Sequence, residues 1–396
     1  MRSDADDATT VPAPGTDASP SSPARRVSAG ELFFDLVFVF AVTSVAAELA
    51  DDHTGRGAFR ALVVFVPIYW AWVGTTIQGN LHDFNEPHLR IAMFAVALSG
   101  LFMAISVPGA FDNLAVLFAC SYWAARLIHV LAFVGHLVPN AYTMSVFVTG
   151  PLFIAGAVAG GTAQEWIWGA AALLDLASPT LFRRRLRGIH FDAPHLAERF
   201  SLFVLIALGE SVVAVGVAAQ DAHVDLPLGL TVGAAFALIA GLWWVYFHFA
   251  ADAIRHALAT ASVQFDITRL VLSYAHLSFI GSIIAIAVGL HEAVAHPTEH
   301  LPGAAIALTC GGAAVFLATF GFTRWVMFRL LSTTRLAAAA TVAAVAAVAP
   351  FIPAVATLFG LAVAIATLNV IEWMRNEQTG WRARLARRSP TKDSPS

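Results

Sequence analysis

From Glu31 to about Trp373 the chain is a succession of apolar runs with short polar breaks between them. Runs of about 18 or more residues with few charges read as membrane helices, because about 20 helical residues span the hydrocarbon core. The runs are continuous and rich in Ala, Leu and Val, without the short-range alternation that barrel strands need. Hydrophobic residues make up 58% of the sequence and charged residues 12%, about half the charged share of a soluble domain. A soluble chain of 396 residues cannot cover its surface with so few charges. The pattern therefore predicts an all-α polytopic membrane bundle that lies in a lipid bilayer, and excludes a soluble enzyme. The net charge of −3 implies no nucleic-acid partner.

Candidate helices fall at 31–49, 58–78, 88–107, 113–135, 142–161, 165–182, 198–218, 227–249, 265–290, 303–322, 335–349 and 351–373, about twelve transmembrane helices. The last two are separated by Pro350 and Pro353, which mark either a tight turn between two spans or a kink in one hairpin. Residues 1–30 are rich in Ala, Pro, Ser, Thr and Asp and read as a disordered cytoplasmic tail. They lack the short apolar core and cleavage site of a signal peptide. A basic loop at 183–197 separates a first six-helix half, 31–182, from a second, 198–373, and a basic tail follows at 374–396. Cytoplasmic loops collect Lys and Arg. With twelve spans and the N-terminus inside, all but three of the 23 basic residues fall on or beside inside segments. Arg56 and Arg60 fall outside, and Arg126 lies within a span. Both termini are thus expected in the cytoplasm.

The two halves carry a faint repeat. ELFFDLVFVFAVTSVAAE from Glu31 aligns with ERFSLFVLIALGESVVAV from Glu198, with identities such as Glu31/Glu198, Phe33/Phe200 and Ser44/Ser211. Both segments start on the inside, so the arrangement would be a parallel six-plus-six repeat, a common transporter plan.

Ionisable groups inside a membrane are costly, roughly 2.5–3.5 kcal/mol each at the centre on insertion scales, so they mark where to look. Tyr122, Arg126, His129 and His136 share one face of the fourth span, and Asp266, Arg269, Ser273 and His276 share one face of the ninth. Asp175 and Glu210 are the carboxylates near mid-span. Either can neutralise Arg126, and Glu210 is the first choice because Gly209 would let a neighbouring helix approach. These groups (Arg126, His129, Asp175, Glu210 and His276) form the candidate substrate or ion site, or else an ion pair that only holds helices together. Glu31, Asp35, Glu198, Arg199, Asp266 and Arg269 are candidate structural or gating charges, with Glu31 and Asp35 also placed for helix-dipole stabilisation. HEAVAHPTEH at 291–300 spaces its histidines five apart, unlike a helical zinc motif. Cys120 and Cys310 sit in apolar runs and read as small buried thiols. No metal motif, phosphate loop or dinucleotide fingerprint is present, so no cofactor is expected.

ELFFDLVFVFAVT at 31–43, ERFSLFVLIALGESVVAVG at 198–216 and Ala295-His296-Pro297 resemble the bacterial low-temperature-requirement A family. The resemblance spans Glu31 to about Trp373 and implies a multi-pass membrane protein; it implies no particular chemistry. In place of the polar residue that follows the first motif in that family, this chain has Ser44 and Glu48. A transporter of a small solute or ion is the leading functional expectation. A channel, an intramembrane enzyme with His136 or His248 near the inner face, and a non-transporting membrane sensor stand as alternatives.

Overall fold

The computed structural model describes residues 26–134, 140–220, 222–330 and 332–388, with the backbone alone at 249 and 376–388. Among these described residues twelve long helices account for most of the length. They are α1 (Ala29–Asp51), α2 (Gly55–Leu81), α3 (Pro87–Gly109), α4 (Ala115–Val134), α5 (Ala141–Ala159), α6 (Gly161–Leu181), α7 (Ala193–Gln220), α8 (Leu226–Thr260), α9 (Gln264–Ala295), α10 (Gly303–Phe328), α11 (Thr333–Phe351) and α12 (Ala354–Arg388). Among the described residues there is no strand, only an isolated bridge between His300 and Pro353. In lipid a helix satisfies its own backbone, so this is the architecture a chain of apolar runs can adopt.

Eleven of the twelve are long and apolar enough to cross a membrane. The exception is α6, which has the length but a lower apolar average. Its polar residues Gln164, Glu165, Asp175 and Ser178 are buried against the protein, while Trp166, Leu173 and Leu181 are exposed. The outer face of α6 is therefore as apolar as that of its neighbours. Local signals agree at several boundaries. Ser28 and Glu31 form a capping box that starts α1 at Ala29, two residues ahead of the span read from sequence. α11 ends in a 3-10 turn over Ala349–Phe351 and α12 starts at Ala354, so the prolines mark a turn between two helices. The basic segment after Trp373, read as a tail, continues α12 to Arg388; its Ala, Leu and Arg residues are good helix formers. The reading of 1–25 and of 389–396 lies outside the described residues. Cys120 is exposed on the bundle surface rather than buried, whereas Cys310 is buried.

Loops meet in two sets. Asn80 bonds the Asp192 backbone, Phe191 N donates to Gln264 Oε1 at 2.7 Å and Arg183 clamps Asp266. The other set includes Arg56 with Glu165, Gln164 with the Ala110 carbonyl, and Ala354 N with the Glu299 carbonyl. These are the loops that alternate to one side and to the other if each helix crosses once.

The helices pack in the same order in both halves. In the first, α1 packs on α2 and α3, α3 on α4, α4 on α5, α5 on α6, and α6 returns to α2. In the second, α7 packs on α8 and α9, α9 on α10, α10 on α11, α11 on α12, and α12 returns to α8. The halves meet through α1 and α2 against α7 and α9. Close approach depends on small residues. A Cβ on Gly289 of α9 would lie 1.9 Å from Thr309 Oγ1 and 3.0 Å from the Thr309 backbone nitrogen in α10. A Cβ on Gly209 would meet nothing within 4 Å.

These two glycines should respond oppositely to alanine. Gly289→Ala overpacks the α9–α10 contact and should lower stability by about 1–3 kcal/mol. Gly209→Ala removes backbone freedom at no steric cost and should be neutral, or stabilising by up to about 1 kcal/mol. Unfolding midpoints of the two purified variants in one detergent check the contrast; equal effects would contradict this packing.

Candidate functional site

Two of the polar clusters inside the bundle draw together the sequence candidates, and each begins with an arginine that cannot shed its proton; a separate buried pair, Arg335 with Glu372, joins α11 to α12. The first joins α1, α2 and α7. Arg199 places Nη1 2.8 Å from Glu31 Oε1 and Nη2 2.7 Å from Asp35 Oδ1. One helical turn separates the two acids, so one fork reaches both. Trp72 Nε1 donates to Asp35 Oδ1 at 2.8 Å. His195 Nε2 sits 3.3 Å from Glu31 Oε1, and Asn80 Nδ2 lies 3.1 Å from His195 Nδ1. Glu31, Asp35, His195 and Arg199 are all fully buried. Two carboxylates, a guanidinium and an imidazole in one sealed network form a helix clamp.

The second cluster joins α2, α4, α5 and α6. Asp175 accepts hydrogen bonds from Tyr122, Ser145 and Thr149; the two aliphatic hydroxyls each lie 2.8 Å from Oδ1. Arg126 donates through Nη2 to Ser145 Oγ at 2.9 Å and through Nη1 to the Trp70 carbonyl at 3.3 Å, with Tyr142 5.1 Å beneath its guanidinium. The Ser145 hydroxyl thus stands between the cation and the carboxylate. His129 Nε2 is 2.9 Å from Thr75 Oγ1. Gly74 makes room for this cluster: a Cβ there would lie 2.9 Å from Arg126 Nη1 and 3.2 Å from His129 Nε2.

Beside Arg126 is a cavity of about 260 Å³, lined by residues of α2, α4, α5, α6 and α9 and by Leu186, Ile189 and Phe191 of the connecting loop. Arg269 and Thr268 of α9 line it as well. Arg269 donates to Thr180 Oγ1 at 3.0 Å and lies 3.7 Å from Asp266, which is held more closely by Arg183 at 2.6 and 2.7 Å. Three of the lining helices depart from α geometry here. The π segments His129–Val134, Ser145–Thr149 and Thr268–Ala275 carry His129, Ser145, Thr149, Thr268 and Arg269. A π turn shifts the register of the side chains that follow it and is frequent at functional sites.

The structure sorts the sequence candidates into separate places. Arg126, His129 and Asp175 come together. Glu210 does not join them: it accepts from Thr43 Oγ1 at 2.5 Å, because α7 meets α1 rather than α4. Gly209 presents no close approach, so the reason for preferring Glu210 fails. His276 forms its own pair with Tyr246 at 2.7 Å, between α9 and α8. Asp266 and Arg269 remain neighbours at the loop end of α9. Glu31, Asp35 and Arg199 meet, but Glu198 is exposed and stays outside their network. His136 lies outside the described residues, and His248 is exposed. Among the described residues no group of His, Cys, Asp and Glu could hold a metal ion. Sequence reading overlooked His195, Trp72, Ser145, Thr149, Tyr142 and Thr268. His195 offered a signal, since it stands one turn before Arg199 on the same face; the hydroxyls offered none.

The clamp predicts an asymmetric mutational response. Arg199→Met strands two buried carboxylates and should cost about 3–5 kcal/mol. Adding Glu31→Gln and Asp35→Asn should restore most of that loss, and Glu198→Ala should stay within about 0.5 kcal/mol. Thermal unfolding in detergent reads all three; a silent Arg199→Met would rule the clamp out as a stabilising element.

An uncharacterized protein of Rhizobium meliloti (strain 1021) is 27% identical over 361 residues, covering 87% of this chain and 88% of its own length. No solved structure matches the chain. Residues 26–370 match the family described as bacterial low temperature requirement A protein (LtrA); the chain belongs to that family.

Proposed function

We propose that this multi-pass membrane protein is a carrier of a small solute, with its site in the cavity beside Arg126. One observation carries the reading: a cavity of about 260 Å³ reaches a buried guanidinium among the helices, between residues of both halves. Intramembrane charge of this kind is costly and is typically kept for a pathway. A helix clamp needs no cavity, and the Glu31–Asp35–Arg199 network supplies one without it. Asp175 compensates the charge of Arg126 through Ser145, so the guanidinium does not stand as a lone cation in the bundle.

The carrier sits in the cytoplasmic membrane with both termini inside, a reading supported by the distribution of Lys and Arg. Its two halves follow one parallel plan. The shared packing order supports this, and so does Thr43 meeting Glu210. Those two residues are equivalent positions of the aligned segments, and equivalent positions touch where a two-fold axis passes. Carriers of this construction bind at the interface of the halves.

Two measurements test the reading. For sidedness, with Cys120 and Cys310 replaced by serine, Thr298→Cys should label from outside and Gly188→Cys only after permeabilisation; the reverse pattern would invert the topology. For function, liposomes holding the protein should take up solutes from a metabolite mixture with saturable kinetics. Arg126→Gln and Gly74→Ala should each lower that uptake tenfold or more, the second by displacing the guanidinium. Unitary currents would instead favour a channel, and a chemically altered lipid an enzyme.

A further inference from the structure

We propose that the cavity beside Arg126 is a binding site for a small organic anion, a carboxylate or phosphate monoester carried on an apolar body. The proposal rests on the carrier reading for the anion's passage, though not for its binding.

Charge is the first ground. The described lining residues include Arg126 and Arg269 and no carboxylate. Both arginines are deeply buried, at 2% and 9% exposed. Neither has an acid of its own. Arg126 reaches Asp175 only across the Ser145 hydroxyl. Asp266 is shared by Arg183, Arg187 and Arg269, and its short bidentate contacts go to Arg183. Among the described lining residues the two guanidinium groups are thus the fixed charges, a positive wall that disfavours a cation and favours an anion.

Unused donors are the second ground. Nε of Arg126, Nε of Arg269 and Oγ1 of Thr268 are buried without a hydrogen-bond partner. All three belong to residues that line this one cavity. Buried donors almost always have partners, and a guanidinium presents its donors in a fork that fits a carboxylate or phosphate. Thr268 and Arg269 lie on one π segment of α9, so the same local distortion positions two of the three.

The walls set the rest of the ligand. Trp70, Val73, Ile77, Phe133 and Phe265 are apolar and would reject a fully hydrated ion such as free sulfate, since they return none of its lost hydrogen bonds. A cavity of about 150 Å³ holds benzene; scaling to this volume gives a ligand of about ten non-hydrogen atoms. The same head group could belong to a free solute or to the end of an acidic lipid.

Phenyl phosphate is a suitable probe. The full-length protein is reconstituted in phosphatidylcholine nanodiscs, and binding is followed by quenching of tryptophan fluorescence, Trp70 being in the wall, and by the unfolding midpoint. Phenyl phosphate should bind saturably, with neutral benzyl alcohol and cationic benzylamine at least tenfold weaker. Arg269→Gln should weaken phenyl phosphate by about 10–100-fold without lowering the unliganded midpoint, because Asp266 keeps Arg183. A second preparation contains phosphatidic acid. If that lipid raises the midpoint and competes with phenyl phosphate, the natural occupant is an acidic lipid; if it does neither while phenyl phosphate binds, the occupant is a free anion. Both results uphold an anion site. Benzyl alcohol binding as tightly as phenyl phosphate would overturn it, as would failure of both phenyl phosphate and phosphatidic acid. Binding without liposome flux would overturn the carrier reading alone, and flux of a cation or neutral solute without anion binding would overturn the anion assignment alone.

Discussion

Arg199 ties the two halves of the bundle together. It rises from the first helix of the second half and grips two acids, Glu31 and Asp35, on the first helix of the first half. Apolar packing between helices is a weak guide in lipid, because the surrounding tails are as apolar as the helix faces. Polar contacts that must be made somewhere therefore choose the partner. Once α1 and α7 are joined, Trp72 of α2 is drawn to Asp35 and stacks on Phe203 of α7 at 4.1 Å. His195 and Asn80 then lock the loop ends of the same helices. Beside that junction α9 packs against both α1 and α7.

Arg199 and Arg126 illustrate different uses of one buried side chain. Arg199 has two carboxylates in direct contact and lies in a sealed network, so its charge is absorbed in holding helices. Arg126 has a carboxylate only beyond a serine hydroxyl, an aromatic face beneath it, and a cavity beside it. Its compensation is looser and its surroundings are open to a ligand. The π segments in α4, α5 and α9 sharpen this contrast, since all three border the second site.

Several features were legible in the residues themselves. The apolar runs and their breaks located the helices and most of their starts, because burying backbone in hydrocarbon allows little else, whereas α10 and α12 run on past the ends read from sequence, to Phe328 and Arg388. The stripes on α4 and α9 identified inward faces, since a lipid-facing arginine or histidine would be too costly. The pairing of charges was less legible. Glu210 and Asp175 lie at similar depth along their helices, and depth alone cannot choose between them. The choice depends on which helices are neighbours: α4 packs on α5, and α6 brings Asp175 to that side, whereas α7 faces α1 and gives Glu210 to Thr43. Glu198 matches Glu31 in the aligned segments yet is exposed, so a shared sequence position did not carry a shared environment.

Hydropathy and residue spacing along the chain specify the material of this protein: helices of membrane-crossing length and a small set of charges that had to face inward. Local physics suffices for these, because hydropathy, helix periodicity and the cost of unpaired backbone act within one segment. The packing of the helices settles which charges meet, brings His195 and Trp72 into the Arg199 clamp, and places Arg126 and Arg269, from helices far apart in the chain, along one cavity. Those contacts depend on helix order around the bundle and on π turns that rotate side chains, and neither is written into the spacing of residues along a single span.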